Sequence, residues 1–346
     1  MSTGKRADHG MIEVTRPFSR HDIIYVAGHR GLAGSAIYRA LKRAGYTNVI
    51  GETHRRLDLT EARAVDRYFD ESRPKVVILA AARVGGIIAN SEAPADFIRD
   101  NLLIQTSVID AAYRFGVSKL VFLGSSCIYP RLAPQPLREE YLLSGALEAT
   151  NDAYAIAKLA GIRMCQAYRS QYGFDAVSVL PTNLYGPNDN FTERNSHVIP
   201  GLIRRMHDAK QRGAREFSVW GSGAPRREFL HADDFAAAVL TVLERYSDGA
   251  PINIGAGEDL TIAELAGMLR DVTGLAAEFR FDTSKPDGTP RKLLEVSRIR
   301  ALGWQPKIPL AEGLADTYRW FCEHHLAATG NWPALGKPSG EISLSQ

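Results

Sequence analysis

The chain has 346 residues, of which 45% are hydrophobic and 23% charged, and its formal net charge is +3. That is enough apolar material for one large or two modest packed domains, and it excludes global disorder. So small a charge argues against nucleic acid as a bulk partner, while leaving room for an anionic small ligand held by a few arginines.

Three cysteines, Cys127, Cys165 and Cys322, are odd in number and widely spaced. They make neither a disulfide framework nor a zinc site, so no metal is expected, and they suit a reducing cytoplasm. Residues 1–21 are polar, with no apolar run of signal-peptide type, and are expected to be a mobile extension. No stretch approaches the roughly 20 apolar residues of a membrane span.

In chain order, 23–27 reads as a strand ending at Gly28, and 32–44 as a helix stopping at Gly45. A short strand follows at 49–50, and Thr60 is placed to cap a helix over 61–71. Residues 76–80 are apolar throughout, as a strand buried on both faces should be. A long helix over 96–115, a strand over 119–124, a helix over 152–172 and a strand over 176–180 complete the first half. Alternating strands and helices predict an α/β fold, a doubly wound parallel (Rossmann) sheet, over residues 22–181. Beyond Pro181 the elements shorten, with a helix at 197–211, a strand at 216–219, a helix at 232–245, a strand at 252–254, a helix capped by Thr261, and a last helix over 310–325. Residues 182–326 are expected to form a smaller C-terminal substrate-binding lobe, with some segments returning to the first domain, and 327–346 a weakly structured tail.

Gly28, His29, Arg30, Gly31, Leu32, Ala33 and Gly34 lie between the first strand and the first helix. Glycines there allow a tight turn and close approach to a pyrophosphate at a helix N-terminus. After the second strand come Glu52 and His54-Arg55-Arg56. The acid would hold a ribose diol and favour NAD; the basic groups, together with Arg30, favour the extra phosphate of NADP and outnumber it. Asp58 either reaches the adenine or stands in water.

Ser125 and Cys127 leave the fourth strand at its carboxyl end, and Tyr154 and Lys158 lie four apart on one helix face. A Ser hydroxyl beside a phenol can hold a carbonyl oxygen. A nearby ammonium is expected to lower the phenol from its usual pKa of about 10. This apparatus moves hydride to or from a carbonyl carbon and does not require a thiol. Cys127 therefore asks for a second chemistry, deprotonating carbon next to the ketone with His197 as the acid on the other face, against the plainer readings of a lone cysteine as inert packing and a lone histidine at a helix start as a cap or surface group. Cys165 and Cys322 sit inside helical stretches and read as structural. Arg204, Arg205, Trp220, Arg226 and Arg227 gather in the second half, and arginine forks suit phosphate oxygens. Arg204 and Arg205 cannot both face one cleft, because helix neighbours point about 100° apart.

Together these residues resemble the extended short-chain dehydrogenase/reductases over residues 22–326. The runs 124–130, 181–187, 195–200 and 285–291 look like those of GDP-L-fucose synthases. The resemblance implies 3,5-epimerisation and 4-reduction of GDP-4-keto-6-deoxy-D-mannose, with NADP(H) as cofactor and a homodimer. It implies that Ser125, Cys127, Tyr154, Lys158 and His197 are catalytic. It assigns the cofactor to the glycine loop, His54, Arg55, Asp58, Leu123, Gly124, Ser125, Ser126, Tyr154, Lys158, Pro181, Thr182, Asn183, Leu184 and His197. It assigns the GDP-sugar to Ser125, Cys127, Asn183, Arg205, Trp220, Arg227 and Asp287. The chain departs from the pattern at His54, where arginine is often expected. A related enzyme for another GDP-keto sugar (a heptose or colitose precursor), an NAD-dependent 4-epimerase or dehydratase, and a non-catalytic nucleotide sensor are the rival readings.

Overall fold

The structure, a computed structural model, describes residues 18–192, 196–285 and 287–325. Residues 1–17 of the expected extension, the tail from 327, and Asn195 and Pro286 within two of the family-like runs lie outside the described residues. Residues 18–21 join the fold. Phe18 is buried in the core, and the Arg20 carbonyl accepts the Thr47 N–H at 3.0 Å.

The first half alternates as its apolar pattern predicts: β1 (Ile24–Ala27), α1 (Leu32–Arg43), β2 (Val49–Ile50), α2 (Ala62–Ser72), β3 (Val76–Leu79), α3 (Ile87–Glu92), α4 (Pro94–Arg114), β4 (Lys119–Leu123), α5 (Asp152–Tyr172) and β5 (Ala176–Pro181). With β10 (Ile252–Ile254) these strands form a six-stranded sheet in the order β10-β5-β4-β3-β1-β2, parallel throughout. β1, β3, β4 and β5 are buried along their whole length, as a sheet covered on both faces requires. The order reverses between β1 and β3, and the crevice beyond the carboxyl ends there is where such sheets take ligands. One predicted cap is corrected. Thr60 donates its N–H and its hydroxyl to Asp58 Oδ1 at 2.9 and 2.7 Å, and α2 starts later behind Glu61. A nearby carboxylate is the stronger acceptor and takes the threonine out of the helix end.

After β5 the chain builds the second lobe from β6 (Asn183–Tyr185), α6 (Val198–Gln211), β7 (Glu216–Trp220), β8 (Arg226–Arg227) and β9 (Phe229–His231). α7 (Ala232–Arg245) and β10 then return to the first core, contributing Phe235, Val239, Ile252 and Ile254. The lobe resumes with β11 (Leu260–Thr261), α8 (Ile262–Thr273), β12 (Glu278–Asp282) and β13 (Arg291–Lys292), then α9 (Ser297–Ala301) returns Ile299 to the first core before α10 (Leu310–Trp320) closes the lobe. Thr261 caps α8 in a full capping box with Glu264, as its position predicts. Short strand pairs tie the lobe together: β6 with β9, β7 with β12, and β8 between β11 and β13. The lobe has its own core around Tyr185, Ile203, Met206, Leu265, Leu269 and Leu314. Among the described residues no helix is long and apolar enough to cross a membrane.

Candidate active site

The chain turns at Gly28, whose φ of +83° suits glycine, and a Cβ there would lie 2.7 Å from the Ala81 nitrogen. Gly34, in the first turn of α1, has less room still: a Cβ would stand 2.1 Å from the Gly28 carbonyl oxygen. No side chain therefore comes between the turn and the start of α1, whose first turn carries no acidic residue. A backbone cradle at a free helix N-terminus fits a dinucleotide pyrophosphate.

His29 turns inward. Its ring packs so closely on Gly51 that a Cβ there would lie 2.4 Å from the ring. Burial, then the charge of Arg30, holds its imidazole below the ordinary value, and it serves as a neutral wall of the loop. Glu52 lies 3.6 Å from Arg56, and His54 lies 3.7 Å from Asp58. Arg30 and Arg55 remain exposed at the ends of β1 and β2, without an ion-pair partner among the described residues. The acid that would favour a bare ribose is thus neutralised locally, while two cations stay available for a phosphate.

At the end of β4, the extended backbone of Ser125 leads into a single tight turn, Ser126–Ile128, and the Ser125 hydroxyl oxygen accepts the Cys127 N–H at 3.1 Å. That hydrogen bond fixes the hydroxyl relative to the main chain from which the Cys127 thiol projects. α5 carries Tyr154 against them. Burial, followed by the neighbouring Cys127, pushes the phenol well above its ordinary value, and hydrogen bonding with Ser125 pulls it partly back. The predicted effect of Lys158 on the phenol is corrected. The ammonium reaches back to the Leu123 carbonyl at 2.9 Å and over the Phe122 ring at 4.8 Å, and it is not among the groups acting on Tyr154. Burial lowers Lys158 itself to about 7. Ligand-free, Tyr154 is therefore a proton donor held beside Ser125 and Cys127.

His197 sits exposed just before α6, and the protein packed near its imidazole lowers its pKa below the ordinary value. The preceding Ser196 carbonyl presses on Gly86, where a Cβ would lie 3.0 Å away, so the start of α6 is docked on the segment after β3. No hydrogen bond joins His197 to Cys127 among the described residues. Thr182 and Asn183, which follow β5, both donate to the Glu228 carbonyl, at 3.2 and 2.8 Å.

The arginine cluster divides. Arg204 is bound to Asp208 and Arg226 to Asp259. Arg205 lies over Trp220 at 4.5 Å, with the indole half exposed. Burial lowers Arg227, the charges of Cys127 and Asp287 act on it in the opposite sense, and its Nη1 donates to the Arg226 carbonyl at 2.8 Å. Asp287 clamps the Trp220 loop, accepting the Ser222 N–H at 2.7 Å and its hydroxyl at 2.8 Å. Glu148 escaped the sequence reading. It lies 3.4 Å from Arg131 and accepts from Thr289 at 3.5 Å, bridging the loop after Cys127 to the loop that carries Asp287. With 141 positions between Glu148 and Thr289, no local pattern signals the contact. Cys165 is buried and burial pushes its thiol up to about 12, an inert packing group; Cys322 is half-buried beside Tyr318. A cavity of about 560 Å³ in the second lobe, lined by Lys210, Arg215, Glu216 and Glu278, contains none of these residues.

Residues 24–255 match the NAD dependent epimerase/dehydratase family. The chain belongs to that family. Within this epimerase/dehydratase family it is 57% identical over 306 residues to a probable GDP-L-fucose synthase 1 of Oryza sativa subsp. japonica, covering 88% of this chain and 93% of the relative. A GDP-L-fucose synthetase from Naegleria fowleri, solved with NADP, superposes with a TM-score of 0.82 at 31% identity, covering 89% of this chain and 96% of that one. A GDP-6-OMe-4-keto-L-xylo-heptose reductase from C. jejuni superposes at 0.83 with 36% identity, covering 88% and 99%.

Proposed function

We propose that this chain is a GDP-L-fucose synthase: a bifunctional enzyme that epimerises GDP-4-keto-6-deoxy-D-mannose at C3 and C5 and reduces it at C4 with NADPH. The observation that carries the reading is a half-buried cysteine, Cys127, whose backbone N–H is bonded to the Ser125 hydroxyl and whose thiol is near enough to act on the Tyr154 phenol. A simple keto-sugar reductase has no use for it. The relative at 57% identity favours this substrate over the heptose of the 36% structural neighbour.

The hydrogens at C3 and C5 flank the C4 ketone, so the carbanion left by their removal is delocalised onto the C4 oxygen. The Ser125 hydroxyl and the Tyr154 phenol, both protonated donors, stabilise that developing charge. The Cys127 thiolate removes the proton from one face, and His197, in the minor protonated fraction that its lowered pKa leaves, delivers one to the other. Thiol and imidazole then return to their starting states by exchange with water, ready for the second centre. Arg227 places positive charge on the thiol side of the cleft. The glycine cradle, Arg30, Arg55 and Lys158 would hold NADPH, which when bound supplies the hydride to C4. Tyr154 protonates the C4 oxygen, and its raised pKa suits a donor. Arg205, Trp220, Arg227 and Asp287 hold the GDP end.

The exposed Leu103 on α4 and Ile156 on α5 support a homodimer across these helices, which sedimentation would reveal as twice the chain mass. The free cysteines fit a cytoplasmic setting. Incubation with GDP-4-keto-6-deoxy-D-mannose and NADPH should yield GDP-L-fucose. Reduction without inversion at C3 and C5 would sink the proposal.

A further inference from the structure

Glu228 is fully buried, yet it lies next to Arg227 in sequence. Its Oε1 accepts the Gly257 N–H at 2.6 Å and its Oε2 accepts the Leu294 N–H at 3.1 Å. Gly255 makes room for it: a Cβ there would stand 2.3 Å from Oε1. The main-chain carbonyl of Glu228 takes the Thr182 hydroxyl and the Asn183 amide. Four segments remote in sequence thus meet on one residue: the exit of β5, the β8–β9 junction, the loop after β10, and the segment after β13. That last segment continues from the loop carrying Asp287 and Gly288, and the Arg227 guanidinium lies 3.5 Å from where a Gly288 Cβ would be.

In extended backbone, consecutive side chains point to opposite faces. Anchoring the Glu228 carboxylate inward therefore sends Arg227 to the opposite face, where its Nη1 donates to the Arg226 carbonyl at 2.8 Å and its Nη2 lies beside Gly288. We infer that Glu228 is a positioning residue: its carboxylate, held by the Gly257 and Leu294 N–H groups, sets the aim of Arg227 and so the affinity for the diphosphate of the GDP-sugar. This rests on the reading of the cleft as a GDP-sugar site and adds to it a residue that never touches substrate.

Glu228→Gln preserves shape but turns an amide NH2 toward a backbone donor, so one of the two anchoring bonds is lost. Calorimetric titration of the full chain with GDP should show the Kd weakened by about tenfold, while the NADPH Kd stays within about twofold. In turnover, KM for the GDP-sugar should rise more than kcat falls. A merely structural role would weaken both ligands together, and that result, or a GDP affinity unchanged from wild type, overturns the inference. Gly255→Ala, which pushes the carboxylate from its seat without altering charge, should move GDP affinity in the same direction. Hydrogen exchange of the wild-type protein checks the anchor without any substitution. The Gly257 and Leu294 amides should exchange slowly, and fast exchange at both overturns it. Wild type that binds GDP but fails to convert the keto sugar would instead refute the proposed reaction.

Discussion

The Lys158 ammonium donates to the Leu123 carbonyl at 2.9 Å, the last residue of β4, on whose continuation Ser125 and Cys127 are carried. Helix α5 is thereby stitched to the strand end that presents the reacting groups, and the lysine is almost stripped of water.

That burial has a measurable sign. Lys158 gives up its proton at about 7 in the folded chain and near its ordinary value of about 10.4 in the unfolded one. Between those values the unfolded state binds more protons, so the lysine's contribution is present at high pH and is lost as pH falls through about 7. Compared with Lys158→Met, ligand-free wild type should gain thermal stability as pH is raised from about 6.5 to about 9. Parallel Tm profiles for the two proteins would contradict this.

Cys127→Ser should abolish deuterium incorporation from solvent at C3 and C5, a loss of about 10²–10⁴-fold, while NADPH binding is unchanged. Mass spectrometry of the recovered sugar nucleotide reads the exchange directly. Exchange at the wild-type rate would remove the thiol from the mechanism.

Tyr154→Phe keeps the ring and deletes the donor. NADPH oxidation, followed by absorbance, should slow by about 10²–10⁴-fold and by more than the C3 and C5 exchange slows. Equal losses would mean that the phenol matters as much to proton removal at C3 and C5 as to reduction, contrary to its main role as the C4 proton donor.

Gly34→Ala puts a methyl where only 2.1 Å separates it from the Gly28 oxygen. Backbone cannot yield as a flexible side chain would, so denaturant unfolding should show a loss of about 1–3 kcal/mol, with weaker NADPH binding. A variant as stable as wild type would show that the turn is looser than it looks.

Arg55→Ala should lower NADPH affinity by about tenfold and leave NADH affinity unchanged, because only the former carries the extra phosphate. Fluorescence titration with both nucleotides decides it. Equal losses would place the 2′-phosphate elsewhere, with Arg30 the next residue to substitute.

By itself the sequence determined what is local. The alternation of short apolar strands with amphipathic helices, the glycines between β1 and α1, the Thr261 cap, the Ser125–Cys127 spacing and the Tyr154–Lys158 repeat are all set by backbone sterics and helical periodicity within a few residues. Only the tertiary structure decided which charges are free. Arg204 and Arg226 are taken by Asp208 and Asp259, Arg56 by Glu52, while Arg205 and Arg227 have no carboxylate partner among the described residues, Arg205 lying over Trp220 and Arg227 donating to the Arg226 carbonyl. It also decided that Lys158 serves Leu123 rather than Tyr154, that Thr60 bonds to Asp58 rather than capping α2, and that Glu148 and Glu228 join segments far apart in the chain. The partners of Arg226, Lys158, Glu148 and Glu228 lie dozens of residues away and meet them only through packing, which no stretch of sequence displays; the pairs Arg204–Asp208, Arg56–Glu52 and Thr60–Asp58 are local, and there the fold decided only which of several nearby partners is taken.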